Sequence, residues 1–238
     1  MTTPLLQTRG LTARFGGVTA VDQVDFSVQP GELRCLIGPN GAGKSSFFKM
    51  LSGQLKPSAG SVTFNGIPLA GKSTAQIAKL GIGIKTQVPN VFDGLTVRES
   101  LALAAERTLP PQAAKTRVDA TLDRVGIADL ADRKVGQLAH GQRQLVELAM
   151  VLAPSPDLLL LDEPAAGMTG DEVLRLGDII VELAKSAAVV VVEHDMAFIR
   201  RIGRVVSVLN RGRLLTEGPV AQVLDDQRVR DVYLGRSA

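Results

Sequence analysis

The chain is poor in the residues that staple, stack and chelate. Its 238 residues include one cysteine, Cys35, no tryptophan, one tyrosine and two histidines. A single cysteine excludes an internal disulfide framework and suits a reducing compartment. One cysteine and two histidines cannot build a structural zinc site, which takes about four such ligands. Neither charge sign dominates: 27 Lys and Arg stand against 24 Asp and Glu, a net charge of +3. That excess is too small and too scattered for a nucleic-acid binder. No apolar run approaches the roughly 20 residues that span a bilayer. The longest, "LLLL" at 158–161 and "AAVVVV" at 187–192, have the length of buried strands. The start, "MTTPLLQTRG", has no basic opening followed by a long apolar stretch, so no secretion signal is expected. Internal repeats and low-complexity tracts are also missing, which argues against solenoids and linkers.

What remains is the profile of a globular domain, 45% hydrophobic and 21% charged. Strand-like runs fill residues 5 to 37, broken at Gly16-Gly17 and Pro30-Gly31. Cys35 lies in the last of them, "ELRCLIG", and reads as a small buried hydrophobe. A glycine-rich turn leads into a helix, "KSSFFKMLSG", stopping at Gly53. "STAQIAKLGI" opens on a serine cap, and "GIGIKTQ" is a strand. Residues 88 to 153 are mostly helical, with Pro89 and Pro110-Pro111 as breaks. After Pro154, apolar strands alternate with amphipathic helices, the mark of a parallel sheet covered on both faces. The expected architecture is α/β, with a core of residues 1–87 and 154–238 and a helical lobe of residues 88–153 inserted in it.

The most informative motif is "GPNGAGKS", Gly38 to Ser45, which matches G-x-x-x-x-G-K-[ST] between a strand and a helix. Gly38, Pro39, Asn40, Gly41, Ala42 and Gly43 form a loop that wraps close to phosphate. The N–H groups of residues 41 to 45 point at the anion. Lys44 reaches the β- and γ-phosphates, Ser45 offers a hydroxyl to Mg²⁺, and Ser46 is placed for the α-phosphate. "LLLLDEP" supplies the complement: a buried strand ends in Asp162 and Glu163, at the edge where open α/β sheets bind ligands. Asp162 would hold Mg²⁺ through water, and Glu163 would activate the attacking water. Alone, two adjacent acids also fit a solvated turn; beside a phosphate loop they fit hydrolysis.

"LAHGQRQLVELA", residues 138 to 149, is less transparent. Leu145, Leu148, Ala149 and Leu152 share one helical face, and Arg143, Gln144 and Glu147 are expected to point elsewhere. The small residue, histidine, glycine and glutamine that open it form either a tight turn or a set of free N–H groups awaiting an anion.

The order of these motifs resembles the ATP-binding cassette (ABC) family of ATPases: phosphate loop, Gln87 at a strand end, "LAHGQ", "LLLLDEP", then a strand ending in His194. The resemblance covers essentially the whole chain. It implies a P-loop NTPase (RecA-like) core with an N-terminal antiparallel β subdomain and an inserted α-helical subdomain. In that family the signature, consensus Leu-Ser-Gly-Gly-Gln, caps the γ-phosphate held by a second cassette packed head to tail. Ala139, His140, Gly141 and Gln142 would then face the partner's ATP. Phe15 occupies the position of an aromatic that stacks on adenine, with a plain core role as the alternative. Gln87 matches the glutamine that senses Mg²⁺ and the attacking water. His194 matches the switch histidine that contacts the γ-phosphate. His140 replaces a signature glycine and is expected to shape the interface.

Two positions depart from the family. Ala139 lacks the signature serine's hydroxyl, and Thr169 stands where an aspartate usually crosses to the partner. The runs "VPNVFDGLTVRESLALA", "LAHGQRQ", "DEPAAGMT" and "VVVVEHDM", and the C-terminal stretch ending in "VRDVYLG", resemble importers of branched-chain amino acids and, more closely, of urea or short amides, the signature histidine and "AGMT" being the nearest points. That branch implies ATP and Mg²⁺, a second and different cassette, two membrane permeases and an external solute-binding protein. It also implies a peripheral position on the cytoplasmic face of the inner membrane. The alternatives are a lipid or lipopolysaccharide export ATPase and a soluble ATPase of translation or DNA repair. A single cassette without sustained heptads fits the soluble class poorly.

Overall fold

A computed structural model describes residues 3–88 and 90–233. Two sheets organise them. The first is antiparallel, in the order β2-β1-β4-β5, from β1 (Leu6–Phe15), β2 (Val18–Val28), β4 (Ala59–Phe64) and β5 (Ile67–Pro68). The second has the order β10-β9-β3-β8-β7-β6. It comprises β3 (Leu33–Ile37), β6 (Ile82–Lys85), β7 (Leu158–Asp162), β8 (Ala188–Val192), β9 (Val205–Asn210) and β10 (Arg213–Pro219). Its strands are parallel except for β10, which runs antiparallel at the edge.

The apolar strands are continuous because both faces of this sheet are covered. Successive side chains point to opposite faces. Cys35, Leu159, Leu161, Val189 and Val191 join one buried cluster, with the helices. Leu36, Leu158, Leu160, Val190 and Val192 join the other, with the antiparallel sheet and Phe47 and Phe48 of α1 (Lys44–Leu51). Cys35 is the expected buried hydrophobe, its thiol pushed up to about 12 by burial and then by Glu193.

Helix starts follow local chemistry. Ser73 caps α2 (Thr74–Lys79), and Thr96 caps α3 (Val97–Ala105), each in a reciprocal exchange with the third helical residue. Pro111 opens α4 (Pro111–Val125), where its missing N–H costs nothing, and Gly126 closes it at φ 71°. Then follow α5 (His140–Leu152), α6 (Gly170–Leu183), α7 (Met196–Ile202), α8 (Val220–Asp225) and α9 (Gln227–Tyr233). Helices α3, α4 and α5 fall between β6 and β7, the stretch expected to be helical. The expected break at Pro89, and Leu234 and Gly235 of the "VRDVYLG" run, lie outside the described residues. Among the described residues, no helix is long and apolar enough to cross a membrane.

One expectation fails. Gln144 and Glu147 do not point away from the core: both are buried, at 1% and 4% exposure. The reason lies far along the chain. Lys85, at the end of β6, is fully buried. Its ammonium donates to Gln144 Oε1 and lies 3.0 Å from Glu147 Oε2. A buried charge needs a partner, and the helix supplies one from its inward face. Arg143 behaves as expected and pairs at the surface with Asp93.

Candidate functional site: a phosphate loop and an acid at neighbouring strand ends

The loop from Gly38 to Gly43 leaves β3 and enters α1. Gly43 caps that helix at φ 99°, and a Cβ there would lie 2.2 Å from the carbonyl oxygen of Ala20. Only glycine meets both conditions. Lys44 folds back over the loop and donates to the carbonyls of Gly38 (2.6 Å) and Pro39 (3.0 Å). Burial lowers its pKa, opposed by the nearby negative charges of Glu163 and Asp162. Ser45 is exposed and Ser46 half-buried, both in the first turn of α1. Phe15 is 50% exposed at the end of β1, so it does not belong to the core.

Asp162 ends β7, and Glu163 follows with φ 43°, a left-handed conformation unusual for a residue with a side chain. Such strain gathers at functional sites. The backbone N–H of Glu163 donates to Val192 at 2.9 Å, which ties the turn to β8. Gln87 Nε2 donates to Glu163 Oε2 at 3.0 Å, and His194 Nδ1 lies 3.5 Å from Glu163 Oε1. Three residues spread over 108 positions of sequence therefore meet at one carboxylate. Asp162 is pushed up to about 6, chiefly by burial and then by Glu163 beside it. A half-buried acid beside a second carboxylate concentrates negative charge at the strand end. Carboxylate, hydroxyl and amide oxygens of the kind Asp162, Ser45 and Gln87 carry are the hard donors that Mg²⁺ takes.

Glu193 was not singled out by motif. It is 2% exposed and accepts the backbone N–H of Ala165 (3.2 Å) and of His194 (3.1 Å). It braces the loop after Glu163 against the strand end carrying His194. Burial raises its pKa. The available signal was an acid directly following four valines, where a solvated turn residue would not be anchored.

The start of α5 lies elsewhere. None of the hydrogen bonds of residues 139–142 reaches the phosphate loop among the described residues. Ala139 has no side-chain acceptor, and Gln142 Oε1 instead takes its N–H at 3.1 Å. His140 Nε2 sits 3.2 Å from both the Ala166 carbonyl and Gln144 Nε2. A Cβ on Gly141 would lie 2.2 Å from Glu172 Oε1. Glu172 in turn accepts the Thr169 N–H (2.8 Å) and hydroxyl (3.0 Å). The two departures at 139–140 and 169 thus belong to one contacting unit. Behind it, a groove of about 720 Å³ opens between β6 and the helices, with Ile84, Thr86, Asn90, Arg107, Glu147 and Met150 in its walls.

A phosphate loop, a strand-end acid pair and a histidine reaching the same carboxylate define a nucleoside-triphosphate hydrolase of the P-loop class. A family model described as ABC transporter matches residues 21–166. The chain is 33% identical, over all of both sequences, to the high-affinity branched-chain amino acid transport ATP-binding protein LivG of Escherichia coli (strain K12). It is 32% identical over the same full span to BraF of Pseudomonas aeruginosa. The solved ADP conformation of an ATP-binding cassette from an ABC transporter superposes with a TM-score of 0.88 at 28% identity, covering 98% of this chain and 100% of that one. The chain belongs to the ABC transporter family of ATPases, and its two sheets and phosphate loop are that family's fold.

Proposed function

We propose that this ATPase is the cytoplasmic, peripheral motor subunit of an importer for small polar solutes. Full-length similarity to importer ATPases, with no gap in the motif order, is the observation that carries this reading. Residues 38–46 would hold the phosphates, and Phe15 would stack on the adenine. Ser45, Gln87 and Asp162 would hold Mg²⁺, which when bound neutralises phosphate charge. Glu163 would take the proton of the attacking water, oriented by its hydrogen bond to Gln87 with His194 beside it. Residues 139–142 would face the nucleotide of a second, different cassette, since α5 turns its start away from its own loop. We take residues 88–153 as the inserted lobe and the groove beside Asn90 and Glu147 as the seat of two permeases. An external binding protein would deliver the solute to them.

The solute is read first as a branched-chain amino acid, after the relatives named above. Urea or a short amide is the second reading, and it rests on the likeness of the signature histidine and the "AGMT" run to that branch. The test is uptake into vesicles carrying the assembled complex, with labelled leucine, urea and acetamide offered in turn. ATP-dependent entry of one of the three supports importer function and selects the solute. Failure of all three, with permease crosslinks falling only outside residues 87–110, would overturn the reading. Export and soluble alternatives are not favoured by these relatives.

A further inference from the structure

The buried ammonium of Lys85 does more than pair with Glu147. It contacts the Thr86 carbonyl (3.4 Å), Gln144 Oε1 and Glu147 Oε2 (3.0 Å). An ammonium only donates, so the atom it meets on Gln144 must be the amide oxygen. The orientation of that amide is therefore settled by the charge beside it. Its NH₂ then points at His140 Nε2 (3.2 Å) and the Ala166 carbonyl (3.5 Å).

The Gln144 NH₂ biases the imidazole toward one of its two neutral tautomers. His140 Nε2 lies 3.2 Å from both a carbonyl, which asks it to donate, and an amide nitrogen, which asks it to accept. One nitrogen cannot do both in one state. With Gln144 held by Lys85, the amide can donate to the ring and to Ala166 together. Nε2 then accepts and the ring proton sits on Nδ1. Nδ1 has no partner among the described residues, and His140 is exposed.

We infer that Lys85 is a positioning residue that sets the tautomer of His140 through Gln144, leaving an Nδ1–H donor at the start of α5. Beside Ala139, which has no hydroxyl, that donor is offered toward a partner's nucleotide. That last step rests on the reading that residues 139–142 face a partner's nucleotide; the tautomer does not. The same ammonium binds the groove side as well. Glu147 Oε1 accepts the N–H of Asn90 at 3.0 Å, and both residues line the groove. One buried cation thus joins the groove wall to the histidine.

The experiment needs only the purified full chain and ¹⁵N-labelled histidine. With two histidines in the sequence, His194→Ala assigns both rings. In alkaline buffer, where imidazole is neutral, the parent should show His140 with its proton on Nδ1. Lys85→Met/Glu147→Leu removes both charges and keeps the volume. It frees the amide to turn, and the proton resonance should move to Nε2. Gln144→Met deletes the amide while leaving the ion pair, and should produce the same move should the double variant fail to fold. Affinity for MgATP at the chain's own loop should stay within twofold in both. A parent ring protonated on Nε2, or a pattern unchanged by removing Lys85 or Gln144, would overturn the inference. Neither result depends on any permease or partner cassette.

Discussion

Gln87 and Glu163, 76 positions apart, meet through a 3.0 Å hydrogen bond in which the amide donates to the carboxylate. The other carboxylate oxygen faces His194. Glu163 is thus held at one oxygen by Gln87 and faced by His194 at the other, on a strained turn. Glu163→Gln should leave nucleotide affinity intact and lower kcat by about 10²- to 10⁴-fold, the usual worth of a general base. Lys44→Ala should instead abolish binding. ATP turnover by the assembled complex, alongside equilibrium nucleotide titration, separates the two. Parent-level turnover in Glu163→Gln would remove the base role.

Ala139 predicts unequal ATP sites. A hydroxyl-to-phosphate hydrogen bond is worth about 1.5–3 kcal/mol. In the transition state alone, that is up to roughly a hundredfold in rate. Most turnover should occur at the site built on Lys44 and Glu163 of this chain. Ala139→Ser should raise turnover at the other site, read by disabling each subunit's catalytic glutamate in turn. Equal losses from the two glutamate variants, with no gain from serine, would show equivalent sites.

Gly141→Ala should destabilise the chain through its contact with a different helix. The new Cβ would overlap Glu172 Oε1, forcing that side chain off the Thr169 N–H and hydroxyl that it caps. Loss of a cap of this kind costs about 1 kcal/mol. Thermal unfolding of Gly141→Ala, Glu172→Ala and the double variant forms a cycle. The double variant should lose no more than Glu172→Ala alone; strictly additive losses would exclude the clash.

Glu193 predicts a slope of stability with pH. Its folded pKa is raised by burial. Between the unfolded value and that raised value, the native state holds the extra proton. Stability contributed by this group is present at low pH and declines as pH rises through the folded pKa. Glu193→Gln keeps an acceptor for Ala165 or His194 and removes the titration. Denaturant midpoints followed from acid to neutral pH should fall less in the variant than in the parent; parallel curves would refute the assignment.

Much of this was readable in the sequence, for a local reason. The phosphate loop announces itself because glycine spacing, lysine and serine lie within eight consecutive residues. The buried strands announce themselves by unbroken Leu and Val. Gln144 and Glu147 misled for the converse reason. Their partner, Lys85, lies about sixty positions upstream, so helical periodicity alone assigned two polar residues to the solvent. Glu193 was hidden by proximity to His194, since its burial depends on the Ala165 backbone arriving from another strand end. Thr169 was read for what it lacks toward a partner, whereas its hydroxyl is committed to Glu172 in its own helix.

In the parallel sheet, β3, β8, β7 and β6 are consecutive neighbours, and the segment that follows the carboxyl end of each carries a candidate site residue: Lys44, His194, Glu163 and Gln87. Hydrogen-bonded strands stand about 4.8 Å apart. The sheet is therefore a ruler, and the four groups are marks on it at fixed gradations. Nothing that happens to a nucleotide can change those gradations without breaking ladder bonds across a doubly covered sheet. Adjustment is left to the short segments beyond the last paired residue, where Glu163 already sits in an uncommon backbone state. The paired strands are the frame, and the short segments that carry the candidate groups begin where the pairing ends.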